Sequence, residues 1–166
     1  MISIETLKEN YLYPVISSII NNKSFRILPE YSQYKIYESG IIRDIKTDEI
    51  VPMTYSINSP YFHVKLKNDA TGKLDNCSIH RLVAKAFIQN NIKNLVVHHI
   101  NQIKTDNRID NLKIMDPIEH ITLHGKIQEY NDPILIHTVN ALVYNELYMI
   151  LPINDNDNKN INDIKL

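Results

Sequence analysis

The chain has 166 residues, of which 43% are hydrophobic and 22% are charged, a balance typical of a globular protein and unlike that of a disordered one. No run of about 18 apolar residues is present, so the sequence predicts neither a membrane span nor a membrane partner. The first residues lack the basic-then-apolar order of a secretory leader. Cys77 is the single cysteine, which excludes an internal disulfide and favours a reducing, intracellular compartment.

Charge is distributed unevenly along the chain. The formal net charge is −1, but residues 61–126 contain ten Lys and Arg against six Asp and Glu. Six of the seven histidines lie in the same range. A locally basic, histidine-rich segment is compatible with a phosphate-bearing partner, although charge alone does not distinguish it from an ordinary surface.

The first half of the chain predicts one helix followed by short strands. Apolar residues recur at helical spacing from Ser3 to about Asn22, with Pro14 interrupting the pattern. Residues 34–37 and 41–45 flank Ser39-Gly40, which predicts a hairpin with a tight turn. Further along, residues 61–66 alternate between two faces as a strand does, and a second turn is predicted at 69–72.

The next segment predicts a helix that packs against the core. Its apolar residues recur at i, i+3, i+4, i+7 and i+8, which is the spacing of one helix face. Ser78 precedes them and is a suitable N-cap. The residues of this stripe are Ile79, Leu82, Val83, Ala86 and Phe87. After a loop, the apolar residues 95–97 predict a strand that runs directly into His98-His99, and residues 112–114 predict a second strand.

The C-terminal part begins with a helix and ends in a segment of uncertain character. Residues 116–119 have the pattern of a helix N-cap with proline in the first turn. The helix carries His120 and His124 on one face, because they are four residues apart. Helix and strand are equally compatible with residues 133–150, and we expect the chain beyond Pro152 to fray because it has few core-forming residues.

This strand–loop–strand–helix unit can hold one cation between a strand end and a helix start. It resembles the ββα-metal core (His-Me finger) of HNH endonucleases, in particular those of the phage and intron homing type. The segments that match in order and spacing are 79–88, 97–101, 107–112 and 119–120. The β-rich segment upstream resembles the NUMOD4-like module that often precedes this core, with Phe25 where that module usually begins with Trp.

The resemblance implies an α+β chain in four parts. These are an N-terminal helix (1–24), a small β-rich module (25–77), the HNH nuclease core (78–126) and a C-terminal extension without an assigned role (127–166). The implied function is metal-dependent hydrolysis of phosphodiester bonds in double-stranded DNA, in the cytoplasm or nucleus of a host cell if the source is viral or phage. Target sequence, oligomeric state and the choice between nicking and double-strand cleavage stay open.

The resemblance also implies catalytic roles. His99 would be the general base that takes a proton from the attacking water. Asn111 would brace the loop or orient His99 by hydrogen bonding. His98 and His120 would bind one divalent ion, with Mg²⁺ favoured over Mn²⁺ and Zn²⁺ least favoured, and this ion would polarise the scissile phosphate.

Further residues are assigned supporting roles on the same basis. The basic candidates for contact with the DNA backbone are Arg81, Lys85 and Lys104. His80 and His124 are candidates for a second shell around the site. His120 and His124 also have the spacing of a zinc-binding helix face, and with His98 or His99 they could form a structural zinc site.

Three features depart from the family pattern or complicate it. Adjacent residues on a strand point to opposite faces, so we expect His98-His99 to lie where the strand ends, which would turn both rings to one site. Many relatives have Asp or Asn at position 98. The family usually has Asp-Gly-Asn where this chain has Asn101-Gln102-Ile103, which places the turn in question. Two alternatives to a nuclease therefore stay open: an inactive DNA-binding protein with this fold, and a zinc-stapled structural domain.

Overall fold

The structure, a computed structural model, describes residues 3–21, 24–56, 59–127 and 153–155. Within these ranges, the helix Ile79–Phe87 contacts strands of three small β-sheets. The α+β class is therefore as predicted. The elements in chain order are α1 (Ile4–Leu7), a π-helical segment (Lys8–Leu12), α2 (Tyr13–Ile20), β1 (Phe25–Arg26), a 3₁₀ turn (Pro29–Tyr31), β2 (Tyr34–Tyr37), β3 (Ile42–Asp44), β4 (Met53–Ser56), β5 (Ser59–Lys67), β6 (Leu74–Ser78), α3 (Ile79–Phe87), β7 (Val96–His99), a second 3₁₀ turn (Ile109–Asn111), β8 (Leu112–Met115), α4 (Pro117–Ile127) and β9 (Ile153–Asp155).

The predicted N-terminal helix is present, but its pitch changes along its length. The π-helical segment separates α1 from α2, and the change of pitch falls before Pro14. Pro14 is the second residue of α2 and lies just after the π-helical segment, so the helix changes pitch where the N–H of proline is missing. Leu12 and Val15, on either side of Pro14, are buried in the core.

The strands form sheets in the orders β1-β2-β3, β6-β5-β4-β9 and β7-β8. The hairpin β2–β3 turns at Ser39-Gly40 as predicted, and the pairs are antiparallel except for β4 with β9. Ile153 pairs with Met53 in that parallel ladder. The expected fraying is therefore wrong for residues 153–155, because backbone hydrogen bonds to a sheet edge can order a strand that lacks a strong apolar pattern. The two alternatives for residues 133–150 lie outside the described residues.

One hydrophobic cluster joins the three predicted N-terminal parts. Leu12 comes from the first part, Ile36 and Phe62 from the β-rich part, and Ile79 and Val83 from α3. Burial of α3 is as predicted, although the Ser78 hydroxyl makes no capping hydrogen bond. None of the helices in the described part of the chain combines the length and apolar character of a membrane span. The shared core fixes the β-rich part against the hairpin β7–β8. The boundaries proposed between the four parts of the chain stay predictions.

Candidate active site

His98 and His99 are the last two residues of β7. They pair regularly across the hairpin with Lys113 and Leu112 of β8. Successive side chains of a paired strand point to opposite faces, and the two imidazoles contact different residues. The pair therefore lies at the end of the strand as expected, but regular pairing with β8 continues through His99, so the strand end does not turn both rings to one site.

On one face of β7, His98 meets the two histidines of α4. The ring centroid of His98 lies 5.2 Å from that of His120 and 5.3 Å from that of His124. The Nε2 atoms of His120 and His124 are 3.0 Å apart. One ring nitrogen from each of the three residues lies within 4.8 Å of the others. His124 thus belongs to the candidate ligand set, which is the position that the zinc-site alternative gave it, and not to a second shell.

Local sequence explains how α4 brings its histidines to this face. The Asp116 carboxylate accepts a hydrogen bond of 2.7 Å from the backbone N–H of Ile118, which caps the helix directly after β8. The predicted cap is therefore formed. The helix starts beside the strand that pairs with β7, and the i, i+4 spacing then directs His120 and His124 to the same side.

The three imidazoles have the chemistry of a metal site. Burial and the neighbouring rings of His120 and His124 lower the pKa of His98 to about 4. Burial also lowers the pKa of His120. Both rings are consequently neutral at pH 7 and offer a lone pair, as metal coordination requires. Three imidazole nitrogens suit zinc and other first-row transition ions better than they suit Mg²⁺, which prefers oxygen ligands.

On the other face of β7, His99 lies in a closed environment. Its side chain is almost fully buried, with a relative exposure of 4%. Its ring stacks on Tyr61 with centroids 5.9 Å apart and lies 5.2 Å from the ring of His80. Burial lowers the pKa of His99, and the hydrogen bond to Asn107 opposes this effect. The imidazole is therefore neutral at pH 7, the form in which it can accept a proton.

Asn107 sets the tautomer of His99. The distance from Nε2 of His99 to Oδ1 of Asn107 is 3.1 Å. Because an amide oxygen can only accept, Nε2 must carry the proton and Nδ1 keeps its lone pair. The residue that orients His99 by hydrogen bonding is thus Asn107, which lies in the matched segment 107–112 but was not assigned a role from the sequence.

Asn111 braces the loop, which is one of the two roles predicted for it. Its Oδ1 accepts from the backbone N–H of Asn101 at 3.0 Å, and its Nδ2 donates to the backbone oxygen of Asp106 at 2.8 Å. Asp106 is fully buried and accepts hydrogen bonds from Asn101 and Arg108. These contacts connect the two ends of the loop between β7 and β8.

The unusual segment Asn101-Gln102-Ile103 still forms a turn. Gln102 adopts a φ of +63°, which is the left-handed conformation that glycine favours. The Asn101 side chain stabilises the turn, because its Oδ1 accepts from the backbone N–H of Ile103 at 2.9 Å. The loss of the family glycine has therefore not removed the turn and has instead placed a strained residue in it.

The predicted DNA contacts have different surroundings. Arg81 donates from its guanidinium to the backbone oxygens of Leu95 at 3.0 Å and Ile92 at 2.7 Å, so we interpret it as a brace of the loop before β7 in place of a phosphate contact. Lys85 forms an ion pair with Glu30. Lys104 is exposed, its Nζ lies 5.4 Å from the ring centroid of Tyr61, and its charge contributes to lowering the pKa of His99.

His80 is part of the buried environment of His99. It is 7% exposed, its ring packs on Tyr61 with centroids 4.7 Å apart, and its Nδ1 has no hydrogen-bond partner among the residues that the structure describes. Burial lowers its pKa to about 3, so it is neutral. A phosphate contact is not compatible with this burial, and the position adjoining His99 agrees with the predicted second shell.

This geometry coincides with a match to a known family. Residues 77–120 match the family model for HNH endonucleases. The segment is of the HNH endonuclease type. An uncharacterised HNH endonuclease of Acanthamoeba polyphaga mimivirus is 36% identical over 96 residues, which cover 55% of this chain and 23% of that protein. A Bacillus subtilis protein named as an SPbeta prophage-derived HNH homing endonuclease is 47% identical over 101 residues, which cover 58% of this chain and 54% of that protein.

A solved structure has a similar fold. The HNH homing endonuclease I-HmuI superposes with a TM-score of 0.57 at 22% identity, over 66% of this chain and 62% of that one. The chain therefore shares a fold with that protein over about two thirds of its length. The chain spans between 23% and 54% of the length of the two curated relatives.

Proposed function

We propose that this chain is an HNH-type endonuclease that hydrolyses phosphodiester bonds of double-stranded DNA with a divalent metal ion. The observation that carries the proposal is that the two faces of β7 present different groups of side chains. His98 joins His120 and His124 on one face, while the adjacent His99 is held by Asn107 on the other. The family match and the fold of I-HmuI, whose structure is described as one of DNA binding and cleavage, support it.

In the proposed reaction, His99 activates the attacking water. Nδ1 takes the proton, because Nε2 is occupied in donating to Asn107. The water oxygen bonds to phosphorus as the bond from phosphorus to the departing oxygen breaks. In an in-line displacement these two oxygens lie on opposite sides of the phosphorus.

The three imidazoles would hold one divalent ion. When bound, the ion would polarise the phosphate and stabilise the departing oxygen. The sequence favoured Mg²⁺, but the donor set of His98, His120 and His124 favours Zn²⁺ or another transition ion that imidazole binds well. Among the described residues the cluster supplies three ligands, and three protein ligands with an open position are typical of catalytic zinc, whereas structural zinc has four.

Nicking of supercoiled plasmid tests the proposal. We expect the wild type to nick DNA with at least one of Mn²⁺, Zn²⁺ and Mg²⁺, and His99→Ala to reduce the rate about 10²–10⁴-fold, the usual contribution of a general base. His63→Ala is the matched control for the loss of an imidazole, because His63 is not in the ligand cluster and bonds the backbone oxygen of Tyr61.

Two results would contradict the proposal. Wild-type rates in His99→Ala would remove the assigned base. Duplex binding without cleavage under any of the three cations would favour the inactive DNA-binding alternative.

Lys104 stays our candidate phosphate contact, since it is exposed near His99. Lys104→Ala should then weaken DNA binding and reduce the salt dependence of that binding.

A further inference from the structure

The turn of the β2–β3 hairpin touches the loop that holds the catalytic base. Gly40 lies in this turn, is buried and adopts a φ of +89°. A Cβ built on Gly40 would lie 2.9 Å from Cβ of Asn107 and 3.5 Å from its backbone oxygen. Side chains do not approach so closely, so only glycine allows the turn to rest against Asn107.

A second contact fixes the turn to the same loop. The backbone N–H of Ile109 donates to the backbone oxygen of Glu38 at 2.8 Å. The turn therefore contacts the loop at two points: Glu38 bonds Ile109, and Gly40 packs against Asn107. The loop cannot shift at Asn107 without disturbing this packed turn, since buried side chains fill space at near-crystalline density.

Asn107 transmits this contact to His99. The Asn107 side chain is 5% exposed, with Gly40 against its Cβ and His99 bonded to its Oδ1. We propose that Gly40 is a positioning residue for the general base, acting through Asn107. This inference rests on the proposed function for the role of His99, although the contact itself can be tested without cleavage.

The first experiment compares two alanine substitutions at left-handed glycines. Gly40→Ala and Gly72→Ala both force alanine into a positive φ, because Gly72 has a φ of +69°. A Cβ on Gly72 would meet nothing within 4 Å, so that variant carries the backbone strain without the contact. We expect Gly40→Ala to lower kcat about tenfold or more with little change in the Kd for DNA, and Gly72→Ala to retain wild-type kcat. Equal losses in both variants would overturn the proposal.

A double-mutant cycle tests whether the effect passes through Asn107. Asn107→Ala removes the hydrogen bond to His99, so adding Gly40→Ala to it should lower kcat by less than about threefold. If the two losses multiply instead, Gly40 acts by another route and the proposed coupling is wrong.

Nuclear magnetic resonance of isotope-labelled histidine supplies a measurement that needs no cleavage. In the wild type, the His99 signals should report a proton on Nε2, and Gly40→Ala should alter them while Gly72→Ala does not. If the wild type fails to cut DNA but these signals behave as described, the function fails and the contact stands. Unaltered His99 signals in folded Gly40→Ala would overturn it.

A folding defect in Gly40→Ala would also be informative. The double variant Gly40→Ala with Asn107→Gly lacks the Cβ that the new methyl group would meet. We then expect the folded fraction, measured by circular dichroism, to recover towards that of the single variant Asn107→Gly. Failure to recover would show that the contact with Asn107 is not what excludes a side chain at position 40.

Discussion

The two faces of β7 are built from different kinds of contact, although their central residues are neighbours in the sequence. On the His98 face, three imidazoles converge, and two of them belong to the surface helix α4. On the His99 face, one imidazole is enclosed by Tyr61, His80 and Asn107 and is bonded to a braced loop. The first arrangement is one that a bound ion would complete, and the second is complete without one.

This difference teaches that one strand can support two chemical tasks with separate structural requirements. Metal binding needs imidazole nitrogens with accessible lone pairs, whereas a general base needs a defined tautomer and a fixed position. We therefore expect substitutions on the two faces to have separable effects, and the following predictions test that separation in order of decreasing effect.

The largest contrast should come from alanine at each of the two adjacent histidines. His99→Ala should lower kcat about 10²–10⁴-fold while leaving metal affinity near that of the wild type, because His99 is not in the ligand cluster. His98→Ala should instead lose metal affinity. Isothermal titration with Mn²⁺ and single-turnover cleavage measure the two effects. Loss of metal binding in His99→Ala would mean that the faces are not independent.

A large loss of stability is expected when the brace behind the base is broken. Arg108→Ala leaves the Asp106 carboxylate, which is fully buried, without its ion-pair partner. The free energy of unfolding should fall by about 3–5 kcal/mol in urea denaturation. Lys113→Ala is the control, since its pair with Glu119 is exposed and should contribute about 1 kcal/mol or less. Similar values for both variants would contradict the structural role of Asp106.

His124→Ala tests whether His124 binds the metal ion directly or only lies beside the residues that do. We expect metal affinity to fall about 10–100-fold or more, because loss of a direct ligand should cost at least as much as loss of a supporting contact. The same titration serves as the measurement, and His63→Ala as the control. A drop of less than about threefold would show that His124 is neither a ligand nor a supporting contact.

The smallest effect is expected in the turn that replaces the family glycine. Gln102→Gly removes the strain of a positive φ from the folded state, but it also makes the unfolded chain more flexible. Because these effects oppose each other, the free energy of unfolding should rise by about 1 kcal/mol or less. Cleavage should be unchanged, because the Asn101 and Asn111 contacts that brace the loop are retained. A loss of stability would show that the Gln102 side chain makes a contribution beyond the turn.

Much of the local structure could be predicted from the sequence. The apolar stripe predicted α3, the cap at Asp116 predicted α4, and Ser39-Gly40 predicted the hairpin turn. These features depend on neighbours within a few residues, which the sequence displays directly. The pairing of residues 153–155 with β4 was not predictable in this way, because it joins segments about a hundred residues apart.

By itself, the sequence determined the type of core, the ligand candidates His98 and His120 and the base candidate His99, since spacing along a strand–loop–strand–helix unit carries that information. Only the tertiary structure decided which groups meet. It put His124 with the ligands, Asn107 on His99 and Gly40 against Asn107. The physical reason is that strand alternation and loop packing, which set side-chain direction, depend on distant contacts that spacing does not encode.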